Sequence, residues 1–138
     1  SDLTVMLQQG GATHQYTAIV KNLINLKPQK KAMVLRTGMW SNQLLAELKK
    51  HCTPVIVADN VEVTKRQSMV PHDQWKIDPE ASFFCFCANE TVDGFETGFD
   101  LFPWHLIPKD IPVCVDMSSN IGTCEIPWDK VGVVYAGA

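Results

Sequence analysis

The segment Ala32-Met33-Val34-Leu35-Arg36-Thr37-Gly38-Met39-Trp40 decides the fold. Its first four residues are an unbroken apolar run, the pattern of a short strand buried on both faces, and Thr37-Gly38 ends it. From about Ser41 to His51 the pattern becomes helical: Leu44, Leu45 and Leu48 share one face. Lys49-Lys50 in the last turn suit the helix dipole. Pro54 to Ala58 (PVIVA) is the next apolar run. Strand, helix, strand with doubly apolar runs predicts a parallel sheet covered by helices.

The same order extends in both directions. Upstream, Thr4 to Leu7 (TVML) predicts a strand, Gln8 to Thr13 a loop, and His14 to Asn25 a helix whose apolar face carries Tyr16, Ile19, Val20, Leu23 and Ile24. Lys27 to Lys31, with Pro28, is a polar turn. Downstream, Asp59 to Glu80 is polar and irregular, and Ser82 to Cys87 (SFFCFC) predicts a buried strand. A loop from Ala88 to Gly94 follows, then a connection through Pro103, Pro108 and Pro112. Val113 to Val115 is a strand ending on Asp116. The last strand, Val131 to Tyr135, runs into Ala136-Gly137-Ala138. The expected architecture is α/β, a three-layer α/β/α unit with a mainly parallel sheet, and no repeat or linker divides it.

Composition narrows the function classes. The 138 residues fit one domain of roughly 100–200 residues. With 46% hydrophobic and 20% charged residues, the chain resembles ordinary globular proteins and not disordered ones. A net charge of −3 argues against a dedicated nucleic-acid binder. Arg36 and Arg66 are the only arginines, so few bidentate anion clamps can come from this chain. No run approaches the ~20 apolar residues needed to cross a bilayer, so no membrane partner is expected. Ser1 in place of an initiator Met is expected to be a processed, cloned or cropped start. The five cysteines (Cys52, Cys85, Cys87, Cys114, Cys124) have no CxxC spacing, which predicts free core thiols in a cytoplasmic protein. Asn89-Glu90-Thr91 matches a glycosylation sequon that carries no weight without a secretory signal.

In parallel sheets ligands bind beyond the carboxyl ends of the strands. That directs attention to Gly10 to Thr13, Gly38 to Trp40, Asn89 to Thr91, Asp116 to Asn120, and Gly137-Ala138. Gly10-Gly11-Ala12-Thr13, between a strand and a helix, fits either a backbone cradle for phosphate or a tight turn. Trp40 fits either a stacking platform for a flat ring or a rim packing residue. Trp75, Trp104 and Trp128 read as packing residues. Asp116 fits a ligand, a metal, a heterocyclic nitrogen, or a turn. No His or second carboxylate lies at ligand spacing from it, so no metal is expected. His14, His51, His72 and His105 are scattered without a nucleophile partner.

Five segments then form a series: QGGATHQY (Gln9 to Tyr16), TGMW (Thr37 to Trp40), CANETVDG (Cys87 to Gly94), VDMSSN (Val115 to Asn120) and GVVYAGA (Gly132 to Ala138). In order and spacing the chain resembles the phosphoserine aminotransferases, fold-type-I, class V pyridoxal-phosphate-dependent enzymes, over about Thr4 to Ala138. The resemblance implies pyridoxal 5′-phosphate as cofactor. It implies that the backbone of Gly11, Ala12 and Thr13 holds the cofactor phosphate, with Ser118 nearby. Trp40 would stack on the pyridine ring, Thr91 would bond the phenolic oxygen, and Asp116 would pair with the ring nitrogen. Thr13 stands where some members carry an Arg, and His14 where Gly is common. In the family the Schiff-base lysine follows two residues beyond the position of Ala138, so no catalytic residue is expected within Ser1–Ala138. The chain would be part of the cofactor-binding large domain, without the N-terminal segment, the rest of that domain and the small C-terminal domain. The implied reaction is reversible transamination of phosphoserine with 2-oxoglutarate to 3-phosphohydroxypyruvate and glutamate, in serine biosynthesis, by a cytoplasmic homodimer. Two alternatives stand beside it: an aminotransferase of another amino acid, and a non-catalytic α/β module that binds a phosphorylated ligand or a partner protein.

Overall fold

The computed structural model describes residues 3–137. Helix α1 is Gly11–Leu23, followed by one 3-10 turn at Ile24–Leu26. Then come β1 (Lys31–Arg36), α2 (Met39–Leu48), β2 (Thr53–Asp59) and β3 (Ala81–Cys87). Two short strands, β4 (Asn89–Glu90) and β5 (Phe95–Glu96), make an antiparallel hairpin. Strands β6 (Val113–Asp116) and β7 (Val133–Tyr135) complete the order.

Five strands form one sheet in the order β2-β1-β3-β6-β7, every pair parallel. The chain leaves β1 toward β2 at one edge, then returns to place β3 on the other side of β1. Connections therefore diverge at the carboxyl ends of β1 and β3, which is where an open α/β sheet leaves a crevice for a ligand. All seven residues of β3 are buried, as a central strand covered on both faces requires.

The two faces are covered differently. On one, Ala32, Val34, Phe83, Cys85 and Cys114 pack against Tyr16, Ile19 and Val20 of α1 and Leu44, Leu45 and Leu48 of α2. On the other, Met33, Leu35, Phe84, Phe86, Val113 and Val115 meet Val70, Trp75, Phe99, Phe102, Ile107 and Ile111. This second cover contains no α-helix among the described residues, only 3-10 turns at His72–Gln74 and Trp104–Leu106. Prolines at 71, 79, 103, 108 and 112 interrupt those stretches, and each removes a helical N–H donor. Aromatic contact holds the layer instead: Phe102 stacks on Phe86 at 4.7 Å and meets Trp104 at 4.5 Å and Trp75 at 5.6 Å. Such pairs add about 0.5–1.5 kcal/mol each beyond the area they bury.

Three expectations are corrected. Thr4 to Leu7 forms no strand; Val5 is 92% and Leu7 99% exposed. Apolar and β-branched content makes a strand only with a neighbour to pair with, and among the described residues none lies beside this segment. Trp128 is 47% exposed and is no packing residue, while Trp75 and Trp104 are packed as expected. Both helices begin earlier than their apolar periodicity indicates, at Gly11 and Met39, because the first turn of each lies over the ligand crevice and needs no apolar stripe. Ala138 and Ser1 lie outside the described residues.

The helices are tied by Glu47, whose carboxylate accepts from Thr17 of α1 at 2.8 Å, from His51 at 2.9 Å and from Lys50 at 2.6 Å. These donors, Lys50 first, pull its pKa from 4.5 down to about 2. A depressed folded pKa means the stabilisation is present above the unfolded value and is lost as pH falls from 4.5 toward 2. Glu47→Gln should therefore cost about 1 kcal/mol at neutral pH. Urea titrations should show the gap between wild type and variant closing as pH falls through that window; a gap that stays constant with pH would contradict the assignment.

All five cysteines are free thiols. Cys85 and Cys114 sit opposite each other on β3 and β6, and burial drives the Cys85 thiol well up. Thiol titration of the unfolded, unreduced chain should return five; three or one would reveal a disulfide.

Candidate active site

A cavity of about 400 Å3 opens at the carboxyl ends of the strands, lined by Gly11, Ala12, Tyr16, Trp40, Cys87, Thr91, Asp116, Ser118, Ser119 and Gly137. That volume falls within the range of roughly 300–1,000 Å3 for small-molecule sites. Each strand end contributes one side of it. Asp116 closes β6, Cys87 closes β3, Trp40 follows β1 in the first turn of α2, and Gly137 follows β7.

Asp116 is 3% exposed, and its carboxylate is held by three donors. The Tyr16 hydroxyl donates to Oδ2 at 2.9 Å; the Ser118 amide and hydroxyl donate to Oδ1 at 2.9 and 2.6 Å. An ionised carboxylate offers about four acceptor positions, so one is left for a ligand. Burial, then the Asp116 charge, pushes the Tyr16 hydroxyl far above its ordinary range, so it remains a donor to Asp116. Ser118 in turn accepts from the Gly137 amide at 3.0 Å, linking the ends of β6 and β7. Burial, followed by the Glu90 and Asp116 charges, raises the Cys87 thiol, which stays neutral.

Trp40 is fixed at both ends. Its indole Nε1 donates to the Thr91 hydroxyl at 2.8 Å, and its backbone amide donates to Glu90 Oε2 at 2.7 Å. Because the Thr91 oxygen accepts there, its own hydrogen is left to donate to a ligand.

Two helix N-termini face this region, and they differ. At α2 the first-turn amides are taken by carboxylates: Met39 by Asp93, and Trp40 and Ser41 by Glu90. At α1 the N-cap is Gly10, with no side-chain cap. Gly10 (φ 109°) and Gly11 (φ 59°) both take left-handed conformations that a side chain would strain. The open amides and partial positive charge of α1 suit an anion; those of α2 are already neutralised.

Of the residues read from the sequence, Gly11, Ala12, Trp40, Thr91, Asp116 and Ser118 surround the one cavity. Thr13 does not line it: α1 starts at Gly11, and the Thr13 side chain lies on the exposed side of the first turn. His14 is bonded back to the Gly10 carbonyl at 2.7 Å. Tyr16 and Cys87, which the sequence pattern marks only as core residues, also line the cavity, as does Ser119 of the Asp116 to Asn120 strand end. No group of three or more His, Cys, Asp or Glu residues suited to a metal occurs among the described residues, and no helix there is long and apolar enough to cross a membrane.

The family model described as Aminotransferase class-V matches residues 4–138. The chain belongs to the class-V aminotransferases. It is 36% identical to the phosphoserine aminotransferase of Drosophila melanogaster over 138 residues, all of this chain and 36% of that protein. It is also 36% identical to the phosphoserine aminotransferase of Idiomarina loihiensis, covering 99% of this chain and 36% of that protein. Among solved structures, pyridoxal-phosphate-bound phosphoserine aminotransferase from Trichomonas vaginalis matches with a TM-score of 0.73 and 34% identity, over 92% of this chain and 34% of that one. The enzyme from Bacillus circulans subsp. alkalophilus gives 0.76 at 25% identity, over 93% and 33%. The chain thus spans about a third of the length of these relatives.

Proposed function

We propose that this class-V aminotransferase chain forms the wall of a pyridoxal 5′-phosphate site, and that the protein carrying it transaminates phosphoserine with 2-oxoglutarate. The observation that carries the reading is Asp116: a buried carboxylate with one acceptor position left, in a cavity shared with an indole and an uncapped helix N-terminus. The residues fit the cofactor part by part. Trp40, its own N–H occupied by Thr91, offers the ring a fixed apolar face. The Thr91 hydrogen would be free to meet the phenolic oxygen, and Asp116 would accept from the protonated ring nitrogen, a charge-assisted bond of about 1.5–3 kcal/mol. The Gly11 to Thr13 amides would receive the phosphate through backbone alone, so the Thr13 side chain need not line the cavity.

When bound, the cofactor supplies an electron sink for charge left on the substrate's α-carbon. The chain's own residues make that sink effective. Asp116 keeps a proton on the ring nitrogen, Tyr16 and Ser118 hold Asp116 in place, and Trp40 excludes water from one ring face. On this reading the lysine that would bind the cofactor and move the proton follows two residues past Ala138, and the second subunit of a cytoplasmic homodimer would complete the substrate's phosphate site. The products are 3-phosphohydroxypyruvate and glutamate, a step of serine biosynthesis. The test is an assay of the protein carrying this chain, with phosphoserine and, separately, with unphosphorylated amino acids as donors. Turnover preferring phosphoserine supports the reading; preference for another amino acid would retain the class and overturn the substrate.

A further inference from the structure

Glu90 is the largest charged side chain in the fully buried interior, at 0% exposure, and it has no cationic partner among the described ion pairs. A buried carboxylate without a counter-ion is costly unless hydrogen bonds replace water. Here they do. Oε1 accepts from the Ser41 amide at 2.9 Å and the Thr37 hydroxyl at 3.0 Å, and Oε2 accepts from the Trp40 amide at 2.7 Å. The positive end of α2 supplies the charge compensation. Asp93, three residues on in the same hairpin, takes the Met39 amide and an ion pair with Arg66 at 2.9 Å. Gly38 makes room: a Cβ there would stand 2.8 Å from Glu90 Cδ and closer still to Asp93.

We propose that Glu90 is the positioning residue of the Trp40 platform: with Thr91 it clamps Trp40 by backbone and indole, setting where the indole meets the cofactor ring. This rests on the cofactor reading above. Glu90, the last residue of β4, and Thr91, the residue after it, hold the two N–H groups of one tryptophan, so a shift of β4 moves the platform and its hydrogen-bond partner together. The same contacts neutralise the α2 terminus, so that the phosphate is directed to α1. Loss of the Glu90 charge should therefore weaken binding of the ring without weakening binding of phosphate.

The test is Glu90→Gln in the protein carrying this chain, read by affinity for pyridoxal 5′-phosphate, affinity for inorganic phosphate, and hydrogen exchange of the peptide containing Trp40 and Ser41. A Gln turns a donor toward one of these amides. Pyridoxal phosphate should bind roughly tenfold to a hundredfold more weakly, inorganic phosphate within about twofold of wild type, and the two amides should exchange faster. Equal weakening of both ligands would mark general destabilisation and overturn the proposal, as would unchanged exchange. Should the variant not fold, Gly38→Ala keeps every charge and crowds Glu90 and Asp93 at a φ of −175° that alanine tolerates. It should show the same selective loss, and wild-type behaviour would overturn the proposal. If wild type shows no preference for pyridoxal phosphate over phosphate, the cofactor reading fails, and the exchange data alone decide whether Glu90 holds Trp40.

Discussion

Asp116→Asn should lower transamination by the protein carrying this chain by about a hundredfold to ten-thousandfold, the span assigned to groups that hold a proton at the reacting centre. An amide has nearly the shape of a carboxylate, so the packing around β6 is kept and Tyr16 or Ser118 can still donate to its oxygen. The amide nitrogen cannot accept from a ring N–H. Without that partner a bound ring nitrogen would lose the acceptor for its proton, and the cofactor would be a weaker sink for charge on the substrate's α-carbon. Cofactor affinity should fall less than turnover, by roughly tenfold to a hundredfold, because Trp40, Thr91 and the α1 terminus are unchanged. Measuring the two losses separately is informative. Weakened binding with unaltered turnover at saturating cofactor would mean that Asp116 only anchors the ring.

A larger effect is expected at the far end of the cavity. Gly137 lines the site, and no lysine does among the described residues. A chain cut at Ala138 should therefore take up pyridoxal phosphate without a covalent bond, and borohydride reduction followed by peptide mapping should find no lysine labelled stoichiometrically. The same treatment of a chain extending past Ala138 should label one lysine. Turnover by the cut chain should be undetectable: the amine proposed to follow Ala138 would be both the covalent tether and the acid–base group, and its loss would exceed the ~10²–10⁴ of acid–base catalysis alone. Stoichiometric labelling of Lys130 or any other lysine of this segment, with turnover, would overturn the assignment. Scattered labelling of surface lysines such as Lys49 would leave it standing.

The residues that proved legible in the sequence share one property: each stands where a pattern stops. Asp116 ends an apolar run, Trp40 and Thr91 follow others, and Gly11 precedes a helix, so period and breakers were enough to place them. Tyr16 escaped because its ring belongs to the apolar stripe of α1, and a stripe says nothing about what a hydroxyl at its upper end touches. Its position one turn after Ala12, on a helix starting at the crevice, was the available signal. Glu90 lay within the marked strand end Asn89 to Thr91, yet its enclosure was not legible. A charge in a polar segment reads as solvated surface, and only the fold shows that it is enclosed by the first turn of α2. The second cover of the sheet was illegible because proline-rich chain packed through aromatic rings has no period at all. The segment Thr4 to Leu7 misled because local composition favours a strand whose partner is decided elsewhere.

If these strand ends make one pyridoxal phosphate site with Trp40 as its wall, cofactor binding must be felt by that indole. Titrating the protein with pyridoxal 5′-phosphate while following tryptophan fluorescence tests it most directly, with Trp40→Phe and inorganic phosphate as controls. Quenching should be saturable, disappear in Trp40→Phe and not be produced by inorganic phosphate. Quenching that persists in Trp40→Phe, or an affinity for pyridoxal phosphate no greater than for phosphate, would contradict it.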